Sequence, residues 1–151
     1  MATNLSSLAF DFFFWFSRFE FALKENGYLK SHSRGAKAEP GWKEFVDKWH
    51  STYILSSEAC ALLAAKPEQQ IVGPNDELKW REVDLTKSKS DLSNLVLLLK
   101  TVRNNLFHGG KHGGAGWDDP YRTEILLSSG IAVLNQLAQL ASIEADYKQY
   151  Y

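Results

Sequence analysis

The sequence predicts an all-α protein, built as an antiparallel bundle of four to five helices. Apolar residues recur close to every 3.6 residues through most of the 151-residue chain. Glycine and proline residues separate these segments, and no repeat or low-complexity segment stands out. A chain of this length is expected to form a single domain, residues 1–151, that buries about two-thirds of its unfolded surface.

The first predicted helix spans about Leu5 to Asn26 and is dense in aromatic residues. Asp11, Arg18 and Glu25 recur every seven residues and predict a narrow solvent-exposed stripe. Phe14 falls close to that stripe, which a helix with a single buried face would not explain. We therefore expect this helix to be covered on two sides, by its own bundle and by a second subunit.

The second predicted helix follows Pro40-Gly41 and carries a core stripe from Trp42 to Leu63 in steps of mostly three and four residues. Cys60 lies on this stripe, so its expected role is core packing. From Lys66 to about Ser90 the pattern is broken by proline and glycine. Within that connection, residues 78–83 fit either a short extended piece or no regular structure.

Two further helices complete the predicted bundle. The third begins between Ser88 and Asp91, which offer N-cap chemistry, and ends at Gly109-Gly110. The fourth begins at Asp118-Asp119-Pro120 and reaches roughly Tyr147. Helix capping explains these paired carboxylates better than acid catalysis or metal binding. Gly130 in the middle should cost about 1 kcal/mol relative to alanine, so we expect it to permit close helix approach.

Composition and charge limit the classes of function. The chain has 17 Lys plus Arg and 18 Asp plus Glu, a net charge of -1, so contact with nucleic acid requires a local basic patch. One cysteine excludes an internal disulfide and a cysteine-based zinc site. The apolar stretch 10–16 is too short to span a bilayer. We expect a cytoplasmic protein with no membrane partner.

The residues that suggest chemistry lie at the end of the third predicted helix. Arg103 is a permanent cation able to bind a phosphate through two nitrogens, and His108 titrates near neutrality. Residues five apart are separated by about 140 degrees on a helix, so these two do not share one face. Asn104 and His108 do, and arginine is long enough to reach across. The helix end should also favour the cationic form of His108.

A plain reading is that Arg103 makes a surface ion pair and His108 a polar capping contact. The context changes that reading, because Arg103-Asn104-x-x-x-His108 resembles the signature of the HEPN superfamily, helical proteins that are often metal-independent RNases. Residues 16–24 also resemble first-helix segments of some prokaryotic HEPN proteins. The resemblance implies a HEPN-like fold with the motif on the third helix. It also implies that Arg103 and His108 are catalytic, with Asn104 as a supporting polar neighbour.

The resemblance further implies a homodimer in which two motifs meet in one cleft, and no cofactor. RNA can be cut without a metal when its 2′-hydroxyl attacks the adjacent phosphorus, which requires a base, an acid and cations. Two copies of Arg103 and His108 supply these roles, and the need for a 2′-hydroxyl selects RNA over DNA. An antitoxin or other regulatory protein is an expected partner. Where some HEPN toxins carry a tyrosine that a partner enzyme modifies, this chain has Gly110, which argues against that control.

The glycine-rich segment after the motif admits other readings. Gly109 to Gly114 lacks the spacing and the following Ser or Thr of a phosphate-binding loop. His108 and His112 have a spacing seen in zinc sites, but two glycines separate them and no third ligand is evident. Lys111 and His112 are candidate RNA contacts or simply solvent-exposed. Trp117 is a candidate for stacking on an RNA base, although packing against the fourth helix explains it as well.

Two functions from different classes follow from the sequence. The first is a metal-independent endoribonuclease, a toxin or defence effector, with a composite dimeric site. The second is a noncatalytic helical module that binds a nucleotide or a protein and keeps the motif as a binding patch. Only the first requires two motifs to face each other.

Overall fold

The computed structural model describes residues 4–108 and 119–149, and within them the protein is mostly helical. The described part contains six helices and one two-stranded sheet, so the prediction of an all-α fold with four to five helices is wrong in its detail. The helices are α1 Leu5–Glu25, α2 Trp42–Trp49, α3 Ser57–Ala65, α4 Asp91–Phe107, α5 Pro120–Leu140 and α6 Glu144–Lys148, and the strands are β1 Glu68–Val72 and β2 Leu78–Glu82.

Local capping chemistry sets several helix boundaries where the sequence predicted them. At the start of α4, the Ser90 hydroxyl accepts from the Ser93 N–H at 3.1 Å and Ser93 Oγ accepts from the Ser90 N–H at 3.2 Å. This capping box satisfies two backbone donors that the helix leaves without partners. At the start of α5, the Asp119 carboxylate accepts from the Arg122 N–H at 3.0 Å, and Pro120 occupies the first turn. The capping role of Asp119 is confirmed.

The connection after α3 contains a β-hairpin, which the predicted all-α fold lacked, although its second strand agrees with the extended alternative for residues 78–83. The strands are antiparallel, with Glu68 opposite Glu82 and Val72 opposite Leu78. The Gly73 N–H donates to the Glu77 carbonyl at 2.7 Å and closes the turn. Strand β1 contacts α4, where the Asn105 side-chain amide donates to the backbone carbonyl of Glu68 at 2.7 Å.

The single helix predicted from Trp42 to Leu63 is wrong, because α2 ends at Trp49 and a separate helix, α3, begins at Ser57. The hydroxyl of Ser56 accepts from the Ala59 N–H at 3.0 Å and donates to Gln136 in α5 at 2.7 Å. Because α3 is a separate helix, its residues do not continue the face that Trp42 and Phe45 occupy on α2. Cys60 is consequently exposed, contrary to its predicted place in the core.

The last predicted helix is also too long. Helix α5 ends at Leu140, and Ser142 has a φ of 57°, so the chain turns before α6. This turn brings Tyr147 into the core, where its side chain is fully buried. Arg18 of α1 donates from Nε to the Tyr147 carbonyl at 3.3 Å and from Nη2 to the Asp146 carbonyl at 2.5 Å. Arg18 is therefore buried, not part of a solvent-exposed stripe.

The core forms where α1 packs against α5 and α6, and α3 packs against α5. Gly130 of α5 lies against α1, and a Cβ atom at this position would come within 2.7 Å of Phe12 Cε2. The prediction that Gly130 permits close helix approach is confirmed. In the described ranges, no helix combines the length and apolar character needed to cross a membrane.

Candidate functional site

The end of α4 presents the proposed catalytic histidine. His108 is the C-cap residue, with φ −120° and ψ −22°, and its N–H donates to the Asn104 carbonyl at 2.7 Å. The imidazole is exposed and meets the ring of Phe107 edge-on, with centroids 4.6 Å apart. The helix end thus holds the backbone of His108 while its ring faces solvent.

Arg103 lies on a different part of the same helix and is half-buried. Its Nη1 donates to Asn104 Oδ1 at 2.6 Å, and its guanidinium carbon lies 5.6 Å from the ring centroid of Phe16. Within residues 4–108 and 119–149, no carboxylate forms an ion pair with Arg103. Its charge is held in place by an aromatic ring and an amide.

The two proposed catalytic residues line separate pockets. Arg103 lines an open pocket of about 650 Å³, which we call the Arg103 pocket. His108 lines a pocket of about 390 Å³, which we call the His108 pocket. Lys100 and Asn104 line both. One chain therefore does not bring Arg103 and His108 to a common cavity, although we expected the long arginine side chain to reach across.

Lys100 is a residue of this region that the sequence analysis missed. It precedes Asn104 by four residues and His108 by eight, so these three side chains share one stripe of the helix. Burial lowers the pKa of the Lys100 ammonium below its ordinary value, and Arg103 and Lys30 lower it further while Glu20 opposes them. The spacing of four to Asn104 was visible in the sequence and would have indicated Lys100.

The segment between α1 and α2 forms the opposite wall of the Arg103 pocket. An isolated β-bridge joins Leu29 to Pro40, and the Glu44 carboxylate accepts from the Leu29 N–H at 2.7 Å. A Cβ atom on Gly41 would come within 2.5 Å of the Leu29 nitrogen, so only glycine allows this approach. The wall is thus fixed by backbone contacts that depend on residues far apart in sequence.

An exposed aromatic surface adjoins His108. The rings of Phe13 and Phe107 stack with centroids 5.7 Å apart, and Phe107 is 62 % exposed. Phe10, three residues before Phe13, and Phe14, which follows Phe13, are 77 % and 43 % exposed. We call these four residues the aromatic surface. The density of aromatics on the first helix predicted a second covered face, and this surface is where such a cover would lie.

The remaining candidate residues fall outside the description. Lys111, His112 and Trp117, proposed as RNA contacts, lie in the segment 109–118, which is not among the described residues. Among those that are described, no group of three His, Cys, Asp or Glu side chains is arranged to hold a metal ion.

Comparison with known proteins does not assign this chain to a family. No family model matches it, and neither a curated protein nor a solved structure matches it. Its function therefore has to be argued from the residues of α4 and their surroundings.

Proposed function

We propose that the protein is a metal-independent endoribonuclease that acts as a toxin or defence effector in the cytoplasm. One observation carries this proposal: at one end, α4 presents an arginine that is hydrogen-bonded to a neighbouring amide, together with an exposed histidine. The arginine provides charge stabilisation and the histidine proton transfer, which are the two functions that RNA cleavage without a metal requires.

The proposed reaction uses the hydroxyl group of the substrate. One His108 removes the proton from the ribose 2′-oxygen, and that oxygen attacks the adjacent phosphorus. The bond from phosphorus to the 5′-oxygen of the next nucleotide breaks, and a second His108 protonates the leaving oxygen. Arg103 stabilises the negative charge that develops on the phosphoryl oxygens. The upstream product carries a 2′,3′-cyclic phosphate.

The reaction needs two histidines, and we propose that a homodimer supplies them. The aromatic surface lies directly beside His108 and leaves apolar rings in contact with water. Burying Phe10, Phe13 and Phe107 against a second copy would be favourable and would bring two His108 side chains towards each other. The separation of Arg103 and His108 within one chain is consistent with a site assembled from two chains.

A HEPN-like arrangement of the helices is part of this proposal. Helix α4 carries the motif and packs against α1, α2, α3 and α5. The β-hairpin and the division of the second and last predicted helices are additions to that arrangement. An antitoxin or other regulatory protein would bind at or near the composite site and block access to RNA.

A noncatalytic binding module is the second candidate, and a specific observation favours it. Arg103 and His108 line different pockets, so a monomer offers a cation-lined pocket that His108 does not line. Such a chain would bind an anionic ligand and leave it unchanged.

The two candidates are separated by incubating the purified protein with defined RNAs in excess EDTA. We expect cleavage to persist, with 2′,3′-cyclic phosphate on the upstream fragment. A substrate with a single 2′-deoxy nucleotide at the scissile position should remain uncut there, because it lacks the attacking oxygen. A strict requirement for a divalent ion, or efficient cutting at the deoxy position, would contradict the mechanism.

A further inference from the structure

Two cations lie side by side on buried aromatic rings at the Arg103 pocket. The Lys100 ammonium lies 5.6 Å from the ring centroid of Trp42, and the Arg103 guanidinium lies 5.6 Å from that of Phe16. The two rings are themselves 5.5 Å apart and are only 5 % and 3 % exposed. A buried ring has little freedom to move, so this pair fixes the positions of both charges.

A third cation comes from the segment between α1 and α2. The Lys30 N–H donates to the Glu39 carbonyl at 3.0 Å, which holds this residue on the pocket wall. Burial lowers the pKa of Lys100 most, Glu20 opposes this, and the charges of Arg103 and Lys30 lower it further, so both of these cations lie near the Lys100 ammonium. Within the described ranges, none of the three forms an ion pair with a carboxylate.

The carboxylates that line the same pocket are Glu20, Glu39 and Glu44. Two of them already have hydrogen-bond donors: Glu20 accepts from the indole N–H of Trp42 at 2.7 Å, and Glu44 accepts from the backbone of Leu29. Glu44 also bonds the His32 ring, at 2.8 Å, and Lys43 at the rim pairs with Asp47. Lys30, Lys100 and Arg103 line this pocket and, among the described residues, form no ion pair with a carboxylate.

We propose that Lys30, Lys100 and Arg103 form a binding site for a phosphate group of a single nucleic-acid strand. A phosphate would offset the repulsion that Arg103 and Lys30 exert on Lys100, with Arg103 donating through two nitrogens and the lysines acting as point charges. The proposal deepens the proposed function and rests on it for the role of Arg103. It assigns Lys100 and Lys30 as substrate-binding residues.

The surroundings favour a strand over a mononucleotide. The Arg103 pocket, about 650 Å³, is open and falls within the size range of ligand pockets. A second pocket of about 480 Å³ shares Lys100 with it and is lined by Lys87 and Lys89 near the start of α4. Two further cations thus lie in the segment just before α4, on the side away from Arg103, where a strand that extends beyond the Arg103 pocket would meet them.

The test measures binding of a short single-stranded deoxyoligonucleotide, which the proposed reaction cannot cleave, by fluorescence anisotropy at several salt concentrations. Lys100→Met and Lys30→Gln should each weaken binding about tenfold. Each should also reduce the slope of log affinity against log salt by about 0.7. Lys48→Met is the matched control, because the exposed Lys48 also lies over a ring, 5.3 Å from Trp49, but does not line the Arg103 pocket.

The location is checked by the indole N–H resonance of Trp42, which should shift on titration with the oligonucleotide. Parallel titrations with inorganic phosphate and a nucleoside monophosphate show whether an isolated phosphate group occupies the site as well. Unchanged affinity in both lysine variants, or equal loss in Lys48→Met, would overturn the proposal. Lysine-dependent binding without RNA cleavage would instead retain the phosphate site and reject the ribonuclease.

Discussion

The ring of Phe13 in α1 stacks on the ring of Phe107 in α4, with planes 9° apart and both edges reaching solvent. Because this pair adjoins His108, we predict that the aromatic surface is the homodimer interface. Phe10→Ser and Phe107→Ser should each shift the protein from dimer to monomer, since they remove exposed apolar area that only a partner can bury. Sedimentation analysis across a range of concentrations measures this shift.

The matched control is Ile54→Ser. Ile54 is 84 % exposed in the connection between α2 and α3 and is not part of the aromatic surface. The Ile54→Ser substitution should leave the association constant of the homodimer unchanged. A wild-type protein that stays monomeric at high concentration would contradict the prediction directly.

Substitutions at the motif should separate activity from folding. We predict that His108→Ala and Arg103→Ala each abolish RNA cleavage and change stability little, by about 1 kcal/mol or less for the cation–ring contact of Arg103. Leu99→Ala, at a fully buried position of the same helix, should instead cost about 2 to 5 kcal/mol. Cleavage assays and urea denaturation measure the two effects. Equal loss of activity and stability at His108 would refute its proposed role.

A catalytic site built from two chains can be recognised by the activity of dimers that contain one variant protomer. Wild-type and His108→Ala protomers, joined in one purified dimer, should be nearly inactive, because base and acid would come from different copies. Activity is compared with the two parent dimers under the same conditions. Half of the wild-type rate would show that each chain works alone.

Because α5 packs closely against α1 at Gly130, we predict that Gly130→Ala lowers the stability of the protein. Gly130→Ala gains about 1 kcal/mol of helix propensity, but its Cβ would lie 2.7 Å from the fully buried ring of Phe12. We expect a net loss of about 1 to 3 kcal/mol in urea denaturation. The loss should shrink in a Phe12→Leu background, where the ring is absent. A variant as stable as wild type would show that the ring moves freely.

The hydrogen bonds of the Glu44 carboxylate predict that part of the stability of the protein is lost at acidic pH. Hydrogen bonds from the Leu29 backbone and then the His32 ring lower the pKa of this carboxyl below 4.5. A lowered pKa in the folded state contributes stability that is fully present above about pH 4.5 and disappears as the pH falls through the lowered value. Urea midpoints of wild type should therefore exceed those of Glu44→Gln at neutral pH and converge with them in acid. An exposed carboxylate, Glu25, provides the control Glu25→Gln.

The sequence predicted those elements whose boundaries depend on local chemistry. The N-cap serine of α4 and the Asp119-Pro120 start of α5 are short motifs whose hydrogen bonds join residues three apart. The end of α1 before Gly27 is of the same kind, because Gly27 adopts a φ of 82° that other residues rarely take. Such signals do not depend on the rest of the fold.

Elements held by distant contacts could not be predicted in this way. The β-hairpin has few buried positions, so it shows no clear alternation of apolar residues, and one of its anchors comes from Asn105, 37 residues from Glu68. Its local signals were the turn sequence from Gly73 to Asp76 and the segment 78–83, which fitted an extended piece no better than irregular structure. The meeting of Lys30 with Lys100 likewise depends on tertiary packing, which spacing along the chain does not reveal.

The hydrogen bonds from Arg18 to the carbonyls of Asp146 and Tyr147 join residues 128 and 129 positions apart. During synthesis, at roughly 5 to 20 residues per second, about 6 to 26 s separate the appearance of these partners. Through that interval the aromatic face of α1 has no α6 to cover it. Until this region has been translated, the nascent chain thus leaves the α6-facing aromatic residues of α1 without their native contacts. A chaperone that binds phenylalanine-rich helices would bind the nascent chain at this face.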